Sequence, residues 1–221
     1  MIEAARYNVF PLDDRSAERM NPEVAGRPDL QGGRTSMTFY PGMIRLMENT
    51  VPNVKNKSHT VTAELEVPAA VANGVIVAQG SRFGGWSLYV KDGRLKYCHN
   101  YLGVSTYCVA AKDSLPAGPV TVQYKFAYDG GDPGASGTGA LYVGGKKVAE
   151  GRIEKTVPYQ FSIDETLDVG CDLAVPVTDD YPSRHNAFTG TIRSVTIDIG
   201  NHAVAYHEDP ENVYNRLMAR Q

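Results

Sequence analysis

Residues 86–97 read "WSLYVKDGRLKY". Two runs of alternating apolar and polar residues meet at Asp92-Gly93, a pair favoured in two-residue hairpin turns because both central positions need positive φ. That turn sets a register in which Val90 opposes Leu95, Leu88 opposes Tyr97, and Trp86 opposes His99. Side chains alternate faces along a strand, so Trp86, Leu88, Val90, Leu95, Tyr97, His99 and Tyr101 share one side of the hairpin.

The same grammar extends in both directions. "CHNYLGVSTYC" (98–108) turns near Gly103, which adds Tyr107 to that face opposite His99 and sets Cys98 opposite Cys108. "HTVTAELEV" (59–67) alternates strictly, with His59, Val61, Ala63, Leu65 and Val67 on one side and Thr60, Thr62, Glu64 and Glu66 on the other. "GVIVAQG" (74–80) is a short apolar run of the kind buried on both faces. "GPVTVQYKFAYD" (118–129) is a long strand followed by the glycine-rich loop "GGDPGASGTG". "ALYVGGKKVAEG" (140–151) turns on Gly144-Gly145 and would pair Leu141 with Val148. "FTGTIRSVTIDIG" (188–200) supplies a closing strand. Many short strands joined by tight turns, with helix signals only at the ends, predict an all-β antiparallel β-sandwich of the jelly-roll kind. The expected organisation is a lead-in over 1–35, a sandwich over 36–200 and a helical tail over 201–221.

The chain has 221 residues, 42% hydrophobic and 21% charged, with a formal net charge of −3. That balance and the lack of a basic run argue against nucleic acid or an anionic membrane as a partner. No stretch approaches the roughly 18 apolar residues that cross a bilayer, and the N-terminus lacks the basic and apolar regions of a signal peptide. A cytoplasmic location is therefore expected. Three cysteines, Cys98, Cys108 and Cys171, form neither a disulfide framework nor a zinc ribbon. Although Cys98 and Cys108 face each other, the expected compartment implies free thiols.

Two groups of residues invite a functional reading. Trp86, Tyr97, His99, Tyr101 and Tyr107 form either an aromatic face for stacking sugar rings or part of the sandwich core. "DVGCDLAVPVTDDYPSRHNAF" (168–188) gathers Asp168, Asp172, Asp179 and Asp180. Those carboxylates suit a hydrogen-bonded acidic loop, since aspartates cap turns without a metal, or a calcium (Ca2+) loop, since calcium takes six to eight oxygen ligands. Arg184 and His185 either pair with these acids or meet a substrate. Glu64 and Glu66 lack the third acid of a sandwich-fold glucanase and fit a solvated strand face.

Taken together, "YNVFPLDDR", "NVKNKSHTVTAELEVP", "GVIVAQG", "GGWSLYVKDG", "FAYDGG", "GALYVGGKKVAEGRI" and "DVGCDLAVPVTDDY…FTGTI" span most of the chain. In them the sequence resembles the C-terminal region of long bacterial arylsulfatases. The resemblance implies a concanavalin- or laminin-G-like sandwich that follows a sulfatase catalytic domain, with a calcium site at the sandwich rim as one possibility. "YPSR" imitates part of a sulfatase motif, but Asp180 stands where the formylglycine precursor would be, and a carboxylate cannot become an aldehyde nucleophile. "NVFPLDD" ends in Asp13-Asp14 but carries Pro11 within the run, against a metal-bearing central strand.

The leading expectation is thus a non-catalytic accessory domain that packs on a sulfatase catalytic unit or on itself. A carbohydrate- or anion-binding module comes next, then a standalone enzyme on the same fold. Ile2, Tyr7, Val9 and Phe10 in the lead-in and Val213, Tyr214, Leu217 and Met218 in the tail predict a homo-dimer or higher homo-oligomer.

Overall fold

The computed structural model describes residues 2–7, 30–31, 33–162 and 164–200. The chain divides into two compact units, Met1–Asp29 with His207–Gln221, and Leu30–Tyr206. In the first, the described residues form one short helix, α1 (Ile2–Arg6), with Ile2 and Tyr7 exposed. Val9, Phe10, Asp13, Asp14 and the whole expected tail lie outside the described residues.

The second unit holds eleven strands among its described residues: β1 (Ser36–Phe39), β2 (His59–Val67), β3 (Gly74–Ser81), β4 (Gly84–Lys91), β5 (Arg94–Tyr101), β6 (Ser105–Ser114), β7 (Gly118–Tyr128), β8 (Gly137–Val143), β9 (Lys146–Ile153), β10 (Leu167–Val169) and β11 (Thr191–Asp198). They form two antiparallel sheets, a six-stranded one ordered β1-β11-β2-β7-β8-β9 and a five-stranded one ordered β10-β3-β4-β5-β6. Their inner faces pack as a sandwich. Val61, Ala63 and Leu65 of β2 and Val122 and Tyr124 of β7 share one core with Trp86, Leu88 and Val90 of β4 and Leu95 and Tyr97 of β5. Burying each large apolar side chain of this kind contributes roughly 1.5–3 kcal/mol, and β2 keeps the alternation its sequence dictates.

The opening hairpin has the register its turn requires. Asp92 and Gly93 both take positive φ, 50° and 78°, and Val90 faces Leu95, Leu88 Tyr97, and Trp86 His99. The Gly144-Gly145 turn differs further out. Val143 faces Lys146 and Tyr142 faces Lys147, but a register shift then sets Leu141 opposite Ala149 rather than Val148. A bulge adds one unpaired residue, and a turn alone does not reveal it.

The glycines of β8 are required by packing rather than by turn geometry. A Cβ on Gly139 would come within 2.6 Å of the Tyr124 hydroxyl oxygen, and one on Gly137 within 2.2 Å of the Phe126 ring. Bare backbone at these two positions lets the core aromatics of β7 lie against β8.

Cys98 and Cys108 form a disulfide, which corrects the expectation of free thiols. The two residues are direct cross-strand partners on β5 and β6, with Cα atoms 4.2 Å apart. Cys171 is a free thiol.

Candidate functional site

The aspartate-rich segment after β10 lies over the outer face of the five-stranded sheet. Val177 and Tyr181 pack there against Val75, Ala78, Tyr89 and Cys98, which explains why β3 is buried on both sides. Asp172 accepts from the Val177 N–H at 2.9 Å and the Tyr181 hydroxyl at 2.5 Å. Asn186 ties the loop together, donating to the carbonyls of Asp172 and Pro182. Asp180 accepts from the Tyr89 hydroxyl and pairs with Lys96, while Lys91 donates to its carbonyl. Burial pushes the Asp180 carboxyl up, but the hydrogen bonds from Lys96 and Tyr89 and the nearby lysine charges hold it below the usual range. Asp168 accepts from the backbone N–H groups of Arg45, at 2.7 Å, and Leu173. Asp179 is exposed and pairs with Arg82 at 3.0 Å.

The four aspartates, read from the sequence as a calcium loop or a hydrogen-bonded acidic loop, do not converge. Each has its own set of partners, and no three His, Cys, Asp or Glu side chains among the described residues are arranged to hold a metal ion. Pro182 and Ser183 of "YPSR" are exposed, as are Arg184 and His185. The carboxylate in the formylglycine position is engaged with Tyr89 and Lys96.

The aromatic face is the core. Trp86 is 1% exposed, Tyr97 2% and His99 5%, while Tyr101 and Tyr107 are partly buried against the same cluster. Trp86 Nε1 donates to Gln79 Oε1 at 3.0 Å, and the Tyr97 ring stacks on Tyr124 with centroids 3.5 Å apart. A sugar could reach Trp86, Tyr97 or His99 only by separating the sheets, so of the two readings these three side chains take the core one and not that of a stacking surface. The cavity beside these rings holds about 20 Å³ and is also lined by His59, Lys55 and Phe161. That is room for about one water molecule. Burial pushes His59 down to about 4, against a hydrogen bond to the Lys57 carbonyl, and His99 down to about 3. The Val157 N–H donates to His99 Nε2 at 3.3 Å, which places the proton of a neutral ring on Nδ1. Lys55, buried beside them, pairs with Glu48.

The outer face of the six-stranded sheet is polar and continuous. Strand pairing aligns Thr38 of β1, Thr196 of β11, Thr62 of β2, Gln123 of β7, Tyr142 of β8 and Lys147 of β9 in one row across all six strands. Thr38 and Lys147 are exposed and the four between are half-buried. Hydrogen bonds run along the row, between the Thr38 and Thr196 hydroxyls at 2.9 Å and from Gln123 Nε2 to Thr62 Oγ1 at 3.1 Å. Lys125 lies over the Tyr142 ring, 4.8 Å from its centroid. Glu64 and Glu66 flank the row, accepting from Thr121 and pairing with Arg193 respectively. Sequence reasoning placed Thr60, Thr62, Glu64 and Glu66 on a solvated face but could not see the row, because its members come from strands distant in the chain.

A third surface lies where two hairpin turns meet. Phe83, 66% exposed, sits in the β3–β4 turn, and Leu102 and Val104, 44% and 77% exposed, in the β5–β6 turn. The turns touch: a Cβ on Gly103 would lie 3.2 Å from the Arg82 carbonyl oxygen and 3.8 Å from the Phe83 ring.

No protein-family model matches the chain, and no curated protein matches it. Solved structures do. The CBM40 domain of the Ruminococcus gnavus IT-sialidase, bound to α2,3-sialyllactose, superposes with a TM-score of 0.51 at 12% identity, over 76% of this chain and 91% of that one. The NanB sialidase of Streptococcus pneumoniae (a K499G mutant) matches at 0.50 and 15% identity, over 76% of this chain and 27% of its own. Mouse laminin α1 domains LG4-5 match at 0.43 and 15% identity, over 76% and 40%. The fold is thus an antiparallel two-sheet β-sandwich like that of the CBM40 domain. No helix among the described residues is long and apolar enough to cross a membrane.

Proposed function

We propose that the chain is a non-catalytic carbohydrate-binding domain whose ligand lies on the outer face of the six-stranded sheet. The observation that carries this reading is the row from Thr38 to Lys147. Hydroxyl, amide and phenol groups are presented together on a rigid sheet, and such groups exchange hydrogen bonds with sugar hydroxyls while a tyrosine ring offers an apolar face. The sandwich it shares with the sialyllactose-bound CBM40 domain supports the same reading. The cross-strand disulfide favours an oxidising compartment over the cytoplasm. The test is retention on immobilised polysaccharides and glycan arrays, with Gln123→Ala and Tyr142→Ala as variants that keep the fold. Loss of retention in both supports the assignment. Unchanged retention in both moves the ligand off this face.

A second reading is favoured by the apolar turns. Phe83, Leu102 and Val104 form the kind of exposed patch that a neighbouring domain covers, and the sequence resemblance to arylsulfatases names a sulfatase catalytic domain as that neighbour. Co-purification with such a domain, weakened by Phe83→Ser and Val104→Ser, would favour this accessory role. Self-association through the same patch or the chain ends would instead appear as a concentration-dependent mass in light scattering.

A further inference from the structure

Resting on the carbohydrate-binding assignment, we infer that the ligand is a linear, uncharged oligosaccharide laid across the strands, not an acidic sugar. The first support is the shape of the row. From Thr38 to Tyr142 it crosses four strand-to-strand steps of about 4.8 Å, roughly 19 Å in all. That length takes several pyranose rings end to end and far exceeds what one terminal sugar would use. The donors and acceptors are spread along it, one side chain per strand, rather than gathered into a pocket.

The second support is charge. From Thr38 through Tyr142 the row carries no ionic side chain. The guanidinium groups further along the same face are already matched. Arg152 makes a two-pronged contact with Asp129, at 2.6 and 3.2 Å, and Arg193 pairs with Glu66 at 2.8 Å. Lys147 pairs with Glu150 at 2.9 Å. Lys125 is the cation of this face that forms no ion pair among the described residues, and it sits over the Tyr142 ring. A carboxylate or sulfate ester is recognised best by a free, forked guanidinium. Here it would have to break an existing ion pair or draw Lys125 off its ring, beside Glu64, Glu66, Glu150 and Asp129. Hydroxyl groups meet no such conflict, since threonine, glutamine and tyrosine side chains both donate and accept.

The full chain, isotope-labelled, is titrated with neutral linear tetrasaccharides of glucose, xylose, mannose and galactose, and in parallel with sialyllactose and a sulfated galactan fragment, while amide and side-chain resonances are followed. The expected result is that a neutral tetrasaccharide shifts Thr62, Gln123 and Tyr142. Gln123→Ala should weaken it about tenfold, as expected for losing a well-made hydrogen bond, and Lys125→Ala by less than about twofold. Shifts of the same residues by the acidic ligands alone, lost in Lys125→Ala, overturn the ligand class and leave the carbohydrate-binding assignment standing. Binding by no glycan of either kind overturns both.

Discussion

The Tyr181 hydroxyl donates a 2.5 Å hydrogen bond to the buried carboxylate of Asp172, beneath the loop that covers the outer face of β3, β4 and β5. Burial pushes the Asp172 carboxyl up to about 6, against the pull of Tyr181 and the Val177 N–H. The folded protein thus holds this proton more tightly than the unfolded chain, whose aspartate titrates near 3.8. Its contribution to stability is full below that value and is lost as pH rises through about 6. Asp172→Asn removes the contribution, so Tm measured from pH 4 to 7 should climb more steeply with pH in the variant than in the wild type. Parallel profiles would show that the carboxyl titrates normally.

The two buried histidines act in the opposite direction. Their folded values, about 4 for His59 and about 3 for His99, lie below the ordinary 6.5. Stability from keeping them neutral is present above pH 6.5 and is lost as pH falls towards 4, and a shift of this size is worth on the order of 3 kcal/mol. His59→Phe keeps a ring against Tyr124 and Phe126 but does not titrate. It should flatten the acid limb of a denaturation series between pH 6.5 and 4. An equally steep limb in the variant would place the acid sensitivity elsewhere.

Reduction of the Cys98–Cys108 disulfide should destabilise the sandwich without changing its topology. The bridge closes a loop with a sequence separation of 10, for which the chain-entropy relation gives about 2–3 kcal/mol. Intact-mass measurement of freshly purified protein should show a deficit of two hydrogens, and a thiol reductant should lower the denaturation midpoint. Full thiol labelling of all three cysteines in untreated protein would contradict the bridge.

Gly139→Ala should be more damaging than an outer-face substitution in the same strand. Its new Cβ would meet the Tyr124 ring and hydroxyl at 2.6–3.0 Å, and Tyr124, fully buried and stacked on Tyr97, has little room to yield. Overpacking of this kind costs about 1–3 kcal/mol. Thr138→Ala on the outer face serves as the control. Equal denaturation midpoints for the two variants would mean that β8 can move away from β7.

Much of the architecture was legible in the sequence because its signals are local. Asp92-Gly93 needs two positive-φ residues, and that alone places Trp86 opposite His99. The alternation in "HTVTAELEV" assigns each residue of β2 to a face, and the centring of Gly103 aligns Cys98 with Cys108. That alignment is what allows the bridge, which the compartment expected from the N-terminus does not predict.

What only the tertiary structure decided is which face of each strand meets what. One register puts Trp86, Tyr97 and His99 together whether they look into solvent or into a second sheet; the packing of β7 against β5 made them core. The aspartates of residues 168–180 are close in sequence, yet the loop's course over β3–β5 turns them towards separate backbone and side-chain donors. The row from Thr38 to Lys147 draws on residues up to 158 positions apart in its hydrogen-bonded pairs. Strand order brings these residues together through long-range pairing, and the periodicity of a single strand carries no record of its neighbours.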